Sequence, residues 1–260
     1  MMPSVPDADW SPEQYNRFAS EREQPYWDLA GLVEPVVDAT VVDLGCGDGR
    51  LTAALHDRLG ARHILGVDNS PAMLAAAAEH AGTNIEFVES DIASWEGAEF
   101  DVVFSNAALH WVPDHAVVMA RWRAALRARG QLAVQMPTNA SHASHRVASE
   151  VATEMLGRDA PPDPVAQNVL SPEHYAEVLD ELGFVRQHVR LQVYVHHLPH
   201  SADVVEWVRG TTLNRFKPVF DSDGYEEFVN EYRRRLLAEI GEQSPYLYTF
   251  KRVLFWGRLD

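Results

Sequence analysis

The chain has 260 residues, with 22 lysines and arginines against 38 aspartates and glutamates, a formal net charge of −16. A field of that sign argues against nucleic acid or an anionic membrane as partner, since both carry the same charge. With 46% hydrophobic residues and one cysteine, Cys46, the composition supports a packed core and excludes an intrachain disulfide or a Cys-rich zinc site.

The opening MMPSVPDADW lacks the basic-then-apolar pattern of a secretory leader. No apolar run approaches the roughly 20 residues of a membrane span. The expectation is a cytoplasmic protein. Short β-branched runs then alternate with helical patterns. Residues 41–45 read as a buried strand, 51–59 as a helix and 63–68 as a second strand. Ser70-Pro71 starts a helix over 72–80, with serine as N-cap and proline in the first turn, and Gly82 closes it. Strands follow at 85–88 and 100–104, a helix from Pro113 through Leu126 ending near Gly130, and a fifth strand at 131–135. Strands alternating with helices predict a mostly parallel α/β sheet covered on both faces, with ligands beyond the carboxyl ends of its strands.

After residue 137 the rhythm changes. Helices are expected at 144–156, 172–182, 202–208 and 225–240, with a loop or hinge at 160–164 and strands at 185–196 and 250–259. The stretch 199–248 is too long for a simple connection and reads as a helical cap over the site.

The segment Val41-Val42-Asp43-Leu44-Gly45-Cys46-Gly47-Asp48-Gly49 is the most informative. Glycines at a strand-to-helix turn let the backbone bend tightly and approach a ligand. A dinucleotide fingerprint needs glycine where Arg50 stands, and a pyrophosphate is repelled by Asp43 and Asp48; a ligand with a cationic amino or sulfonium group tolerates them. Asp68 ends the second strand, where a carboxylate accepts both hydroxyls of a ribose; its alternative is a solvated strand-end acid. Asp91 follows the third strand and reads either as an acceptor for an exocyclic amine or as a plain turn acid.

This constellation resembles the class I S-adenosylmethionine-dependent methyltransferases over residues 38–137, with Phe100-Asp101-Val102-Val103-Phe104-Ser105-Asn106 matching their motif after the fourth strand. The resemblance implies a Rossmann-like fold with a seven-stranded sheet and S-adenosyl-L-methionine as cofactor. It places cofactor contacts on Asp43, Gly45, Cys46, Gly47, Gly49, Asp68, Asn69, Met73, Asp91, Ile92, Asn106 and Ala107. Gly45, Gly47 and Gly49 make room for the methionine moiety, the backbone near Asn106 holds its amino group, and Cys46 is a small buried filler. The implied organisation is an amino-terminal helical lid over 1–34, a cofactor-binding core over 35–198, the cap over 199–248 and a last core strand over 249–260.

The flanks resemble the trans-aconitate 2-methyltransferases nearly end to end, most distinctively at Gln135-Met136-Pro137 and Trp207-Val208-Arg209-Gly210-Thr211. The chain departs from that pattern at His110, where the family carries glutamine, and at Thr212-Leu213-Asn214-Arg215-Phe216. The resemblance implies methyl transfer to a carboxylate of a small di- or tricarboxylic acid. Such a group, with a pKa of about 4, is already ionised at pH 7 and attacks a sulfonium methyl without a base. Alignment and exclusion of water then carry the catalysis.

Arginine suits a polyanion because its planar fork binds carboxylate through two bonds. The candidates are Arg22, Arg146, Arg209, Arg215 and Arg252. Motif context favours Arg22, Arg209 and Arg252, with Tyr15, Gln135 and Trp207 beside the acceptor. Each arginine is alternatively an ion-pair partner in this acidic chain; Arg233-Arg234-Arg235 reads as a solvated face. The catalytic candidates are His110 and Trp111. His110 is a general base, a neutral donor to the acceptor or a packed histidine. Trp111, Trp207 and Tyr15 wall the pocket or belong to the core. Tyr15 and Phe18 would form a lid. His196-His197 and His200 lack a second ligand set, so no metal is expected. The alternatives are a methyltransferase for a malonyl thioester or a hydroxylated metabolite, and an inactive cofactor-binding protein.

Overall fold

The computed structural model describes residues 19–260, with side chains from Glu23 onward. The elements in order are α1 Ala19–Ala30, β1 Thr40–Leu44, α2 Arg50–Leu59, β2 His63–Asp68, α3 Pro71–Ala77, β3 Ile85–Glu89, β4 Phe100–Asn106, α4 His115–Ala124, β5 Leu126–Pro137, α5 Ala143–Leu156, α6 Pro164–Asn168, α7 Pro172–Glu181, β6 Arg186–Leu198, α8 Asp203–Arg209, α9 Ser222–Ile240 and β7 Tyr246–Arg258. No helix among the described residues is long and apolar enough to cross a membrane.

The seven strands form one sheet in the order β3-β2-β1-β4-β5-β7-β6. β1 to β5 pair in parallel and β7 runs antiparallel to β5. This is the expected mostly parallel α/β sheet. Its central strands are continuous apolar runs because both faces are covered: Val41, Val42, Val103, Phe104, Leu132 and Val134 are fully buried. The strand order reverses between β1 and β4, so a ligand crevice belongs beyond the carboxyl ends of those two strands.

The described chain divides into two compact units. The first holds Arg22–Pro137, Asn168–Gln192 and Arg252–Asp260. Met119 and Trp122 of α4, Tyr175 and Leu179 of α7 and Phe255 of β7 share its apolar core. The second unit contains Thr138–Gln167 and Val193–Lys251, so the expected cap segment 199–248 groups with α5, which the sequence reading put in the core. The expected lid over 1–34 lies mostly outside the described residues; from Tyr26 to Ala30 the first unit buries Tyr26 and Leu29, and the Tyr26 hydroxyl donates to the Leu51 carbonyl at 2.8 Å.

Local signals act as expected at the caps. Ser70 accepts from the Met73 N–H and Ser171 from the His174 N–H, each with proline in the first helical turn. Elsewhere the boundaries shift. α4 begins at His115, after Asp114 turns through φ 56°, so Pro113 lies outside it. It ends at Ala124, and Gly130 sits inside β5 rather than closing a helix. The Leu126–Arg129 stretch is too polar to signal a strand, yet Leu126 pairs with Phe100 before the register shifts ahead of Val102. α3 stops at Ala77 and a 3-10 turn carries Ala78–His80. α6 occupies part of the presumed hinge, and a 3-10 stretch covers Thr212–Val219.

The second unit packs Val147 and Val151 of α5, Trp207 of α8, Phe228 and Tyr232 of α9, and Tyr248 of β7 into its own core. Against that core lies a buried polar network. Arg215 reaches Asp163 at 3.3 Å and Ser149 at 2.7 Å, and the His145 ring lies 3.2 Å from Asp163. Burial alone would raise the Asp163 carboxyl; the His145 hydrogen bond and the Arg215 charge outweigh it and hold the group down at about 2. Asp163→Ala leaves the Arg215 charge buried and uncompensated, with an expected stability loss of roughly 3–5 kcal/mol. The shift of the urea midpoint at pH 7 measures it, and a loss under about 1 kcal/mol would mean solvent replaces the carboxylate.

Candidate active site

The glycine loop joins β1 to α2. Gly45, Gly47 and Gly49 all have positive φ, at 84°, 58° and 73°, the left-handed region that other residues rarely occupy. They differ in what a side chain would meet. A Cβ at Gly45 would lie 2.2 Å from the Ala108 Cβ, and one at Gly49 would lie 2.6 Å from Phe87 and 2.8 Å from Ala77. A Cβ at Gly47 meets nothing within 4 Å among the described residues. Gly45 and Gly49 thus permit close protein packing, while the Gly47 side position is open among the described residues.

The loop is held by acids. Asp43 is 2% exposed; its Oδ2 accepts from Thr52 Oγ1 at 2.6 Å, and its Oδ1 has no partner among the described residues. Burial pushes this carboxyl up to about 7, against the opposing Thr52 hydrogen bond, and the Asp68 charge adds to the rise. Asp68 accepts from the Gly47 N–H and from the Ser70 N–H, each at 2.9 Å. It therefore pins the glycine loop and the entry to α3. A carboxylate offers about four acceptor positions, so two backbone bonds do not saturate it. Asn69 is exposed and Met73 half-buried on that turn. Asp91 is exposed and accepts from the Ala93 N–H at 2.9 Å through Oδ1; the neighbouring Ile92 carbonyl accepts from the Trp122 indole at 3.0 Å. Cys46 is buried, and burial with the nearby Asp43 and Asp68 charges pushes its thiol far above the usual range, which fits a filler and not a nucleophile.

β4 ends at Asn106, and Ala107 turns through φ 54°. Its N–H donates to the Gln135 carbonyl at 2.8 Å. The 3-10 turn Leu109–Trp111 follows, with His110 6% exposed and its ring 4.8 Å from that of Trp111. Asn168 Nδ2 donates to the His110 carbonyl at 3.0 Å. Gln135, 1% exposed on β5, accepts from Arg252 Nη1 at 3.0 Å and donates through Nε2 to Asn106 Oδ1. Three side chains far apart in sequence thus form one chain of hydrogen bonds at the strand ends.

A methyltransferase-domain family matches residues 41–130. The trans-aconitate 2-methyltransferase of Deinococcus radiodurans is 41% identical over 257 residues, covering 95% of this chain and 96% of the relative. That of Escherichia coli O7:K1 is 34% identical, covering 96% and 98%. The chain belongs to the trans-aconitate 2-methyltransferase family. As a member it is a methyltransferase whose methyl donor is S-adenosylmethionine. A solved phosphoethanolamine N-methyltransferase 2 from Haemonchus contortus, in complex with S-adenosyl-L-methionine, shares the fold with a TM-score of 0.57 at 16% identity, covering 100% of this chain and 60% of that one.

The residues of this methyltransferase suit that donor. Gly47 leaves a space that a Cβ would fill, Asp68 accepts from its N–H with lone pairs to spare, and the strand order puts the crevice there. The acceptor-side expectations fare unequally. Tyr15 and Phe18 lie outside the described residues, as does the Arg22 side chain. Trp207 is 3% exposed, with its ring 4.7 Å from His196 and 5.6 Å from Tyr248, and it packs in the core of the second unit. Arg209 meets Glu226 at 3.0 Å and Glu206 at 4.0 Å, the ion-pair alternative. Arg146 is likewise taken by Glu150 and Glu239, and Arg215 by Asp163. Arg233, Arg234 and Arg235 form the expected solvated face with Glu206, Glu231 and Glu154.

Among the described residues no three His, Cys, Asp or Glu side chains are placed to share a metal ion. Sequence reasoning missed Thr52, Ala108 and Asn168. The first sits one helical turn past the loop beside a lone buried acid, a signal that was legible; the others depend on tertiary packing.

Proposed function

We propose that the chain methylates a carboxylate of a small di- or tricarboxylic acid, trans-aconitate foremost, to give a methyl ester. The observation that carries this reading is the 41% identity over 95% of the chain to an enzyme named for that acceptor. The Arg252–Gln135–Asn106 chain at the strand ends supports it, because a carboxylate is recognised by charge-assisted N–H donors. The net charge of −16 opposes nucleic acid as substrate, and a small anionic acceptor has to be held against that field by local arginine.

S-adenosylmethionine supplies a sulfonium methyl that a carboxylate oxygen attacks in line, leaving a neutral thioether. The protein's share is binding and alignment. Asp68 would hold the ribose hydroxyls with its remaining lone pairs, and the Gly47 backbone would border the methionine moiety. Asp91 with Ile92 would take the adenine edge, Asn69 and Met73 its flank, and the Asn106–Ala107 backbone the amino group. Arg252 would bind the acceptor, with Arg22 as a second candidate. His110 would act as a neutral donor or a packing partner of Trp111, since an ionised carboxylate needs no base. Orientation of this kind supplies on the order of 7–11 kcal/mol.

The test is transfer of labelled methyl to trans-aconitate, cis-aconitate, citrate, isocitrate, a malonyl thioester and simple phenols. Base-labile label on trans-aconitate is the expected result. Label on a phenol, or no transfer despite calorimetric cofactor binding, overturns the proposal. Arg252→Leu is expected to raise the acceptor KM roughly 10- to 100-fold while the cofactor Kd stays within about twofold, the loss of one charge-assisted bond. Equal effects on both would remove Arg252 from the acceptor side.

A further inference from the structure

We infer that Gln135 is a positioning residue: it fixes the Asn106 side-chain amide with its NH2 group turned to the acceptor carboxylate. The inference rests on the carboxylate reading above and names how one more donor is aimed in that site.

The argument begins with register. Asn106 and Gln135 are paired partners on β4 and β5, and Arg252 pairs with Pro137, two residues beyond Gln135. Side chains two apart on a strand share a face, as do direct neighbours across it, so all three project on the same side of the sheet. Gln135 lies in a run of β5 buried from Gly130 to Pro137, and its backbone is held on both sides, by β4 and by Leu254 of β7. Its own carbonyl accepts from Ala107. It cannot swing away from its two partners, which are each half-buried.

The polarity of the chain follows from chemistry. An amide can be turned end for end, and its orientation is a matter of partners. A guanidinium has donors only. Facing Arg252, Gln135 must present Oε1, as it does at 3.0 Å. Its NH2 then faces Asn106, which must answer with Oδ1. The Asn106 NH2 is thereby turned away from Gln135, at the carboxyl end of β4 where the crevice lies. Arginine sets the direction, glutamine transmits it, and asparagine presents a donor. Arg252 and the Asn106 NH2 together flank the buried glutamine with two N–H groups suited to one carboxylate.

Gln135→Glu tests this without removing either contact site. A carboxylate at 135 still accepts from Arg252, but it has no proton for Asn106 Oδ1. The Asn106 amide then turns its NH2 inward to the carboxylate and its oxygen outward to the acceptor. The expected result is an acceptor KM raised roughly 10- to 100-fold, with kcat and the calorimetric Kd for S-adenosylhomocysteine within about twofold. Gln135→Met, which releases Asn106 without reversing it, is expected to raise KM less. Asn106→Asp, which puts an oxygen where the NH2 was, is expected to match Gln135→Glu. A Gln135→Glu enzyme with unchanged KM, or with KM and cofactor Kd raised together, or with a KM ranking that only follows loss of Tm, overturns the inference.

Side-chain amide exchange reads the same polarity with no substrate present. In the natural chain the Gln135 NH2 protons are expected to be protected and those of Asn106 exposed; in Gln135→Glu the Asn106 pair becomes protected. Protected Asn106 protons in the natural chain overturn the inference whatever the enzyme methylates. The expected exchange pattern in a protein that esterifies no carboxylate overturns the acceptor assignment and leaves the amide polarity standing.

Discussion

Gly47→Val is expected to bind S-adenosylmethionine roughly 100-fold more weakly, a loss of about 2.7 kcal/mol of the kind that steric overfilling produces. The reason is local. The Gly47 side position meets nothing within 4 Å among the described residues, so added methyls project into the open side of the loop. The residue also holds φ 58°, which a β-branched side chain adopts at a cost of about 1–2 kcal/mol. Its N–H bonds Asp68, so a shift of the loop withdraws the proposed ribose acceptor as well. Gly45→Val and Gly49→Val act differently. Their first added carbon would overlap Ala108, or Phe87 and Ala77, so they are expected to lower Tm before any effect on affinity can be read. Calorimetry with thermal unfolding separates the two classes. Normal affinity in a folded Gly47→Val protein would move the cofactor away from this loop.

Asp43→Asn is expected to flatten the pH dependence of stability between about pH 4 and pH 8. Burial raises the folded-state carboxyl from 3.8 to about 7. Between those values the folded state binds the proton that the unfolded state has released. The contribution is therefore fully present below pH 3.8 and is lost as pH rises through 7, at about 1.4 kcal/mol per unit and about 4 kcal/mol in all. Asparagine keeps the acceptor for Thr52 and carries no charge. It places an NH2 where Oδ1 has no partner among the described residues, a constant cost of about 1–3 kcal/mol that does not vary with pH. Urea unfolding of both proteins across the range checks this: their stability difference should grow toward low pH in favour of aspartate. Parallel curves would mean that Asp43 is ionised throughout.

The sheet was legible because its strands are short apolar runs set off by glycine and acid. Residues 63–68 are β2 as read, and 41–45 shift by one residue to β1. Where the reading slipped, the local signal was weak or misleading. Gly130 resembles a helix stop, yet pairing with β4 recruits the polar Leu126–Arg129 stretch into β5. The loop at 160–164 carries three prolines, and the last of them opens α6. The arginines were ranked by motif context, which cannot see that Glu226 and Glu206 already meet Arg209, or that Asp163 holds Arg215.

What the sequence determined by itself was the reaction class. A glycine loop after a strand, acids at the ends of the next two strands and the Phe100–Asn106 motif are local patterns, each requiring particular residue types at fixed spacing. Tertiary structure alone decided which of those residues face protein and which face open space. Gly45 and Gly49 look the same as Gly47 in the chain, and only Ala108, Phe87 and Ala77, brought in from the turn after β4, from β3 and from α3, distinguish them. Asn106, Gln135 and Arg252 are separated by 29 and 117 positions, and strand register makes them one hydrogen-bonded chain. Backbone preference is set within a few residues, whereas side-chain direction and hydrogen-bond polarity are set by neighbours that only the folded sheet supplies.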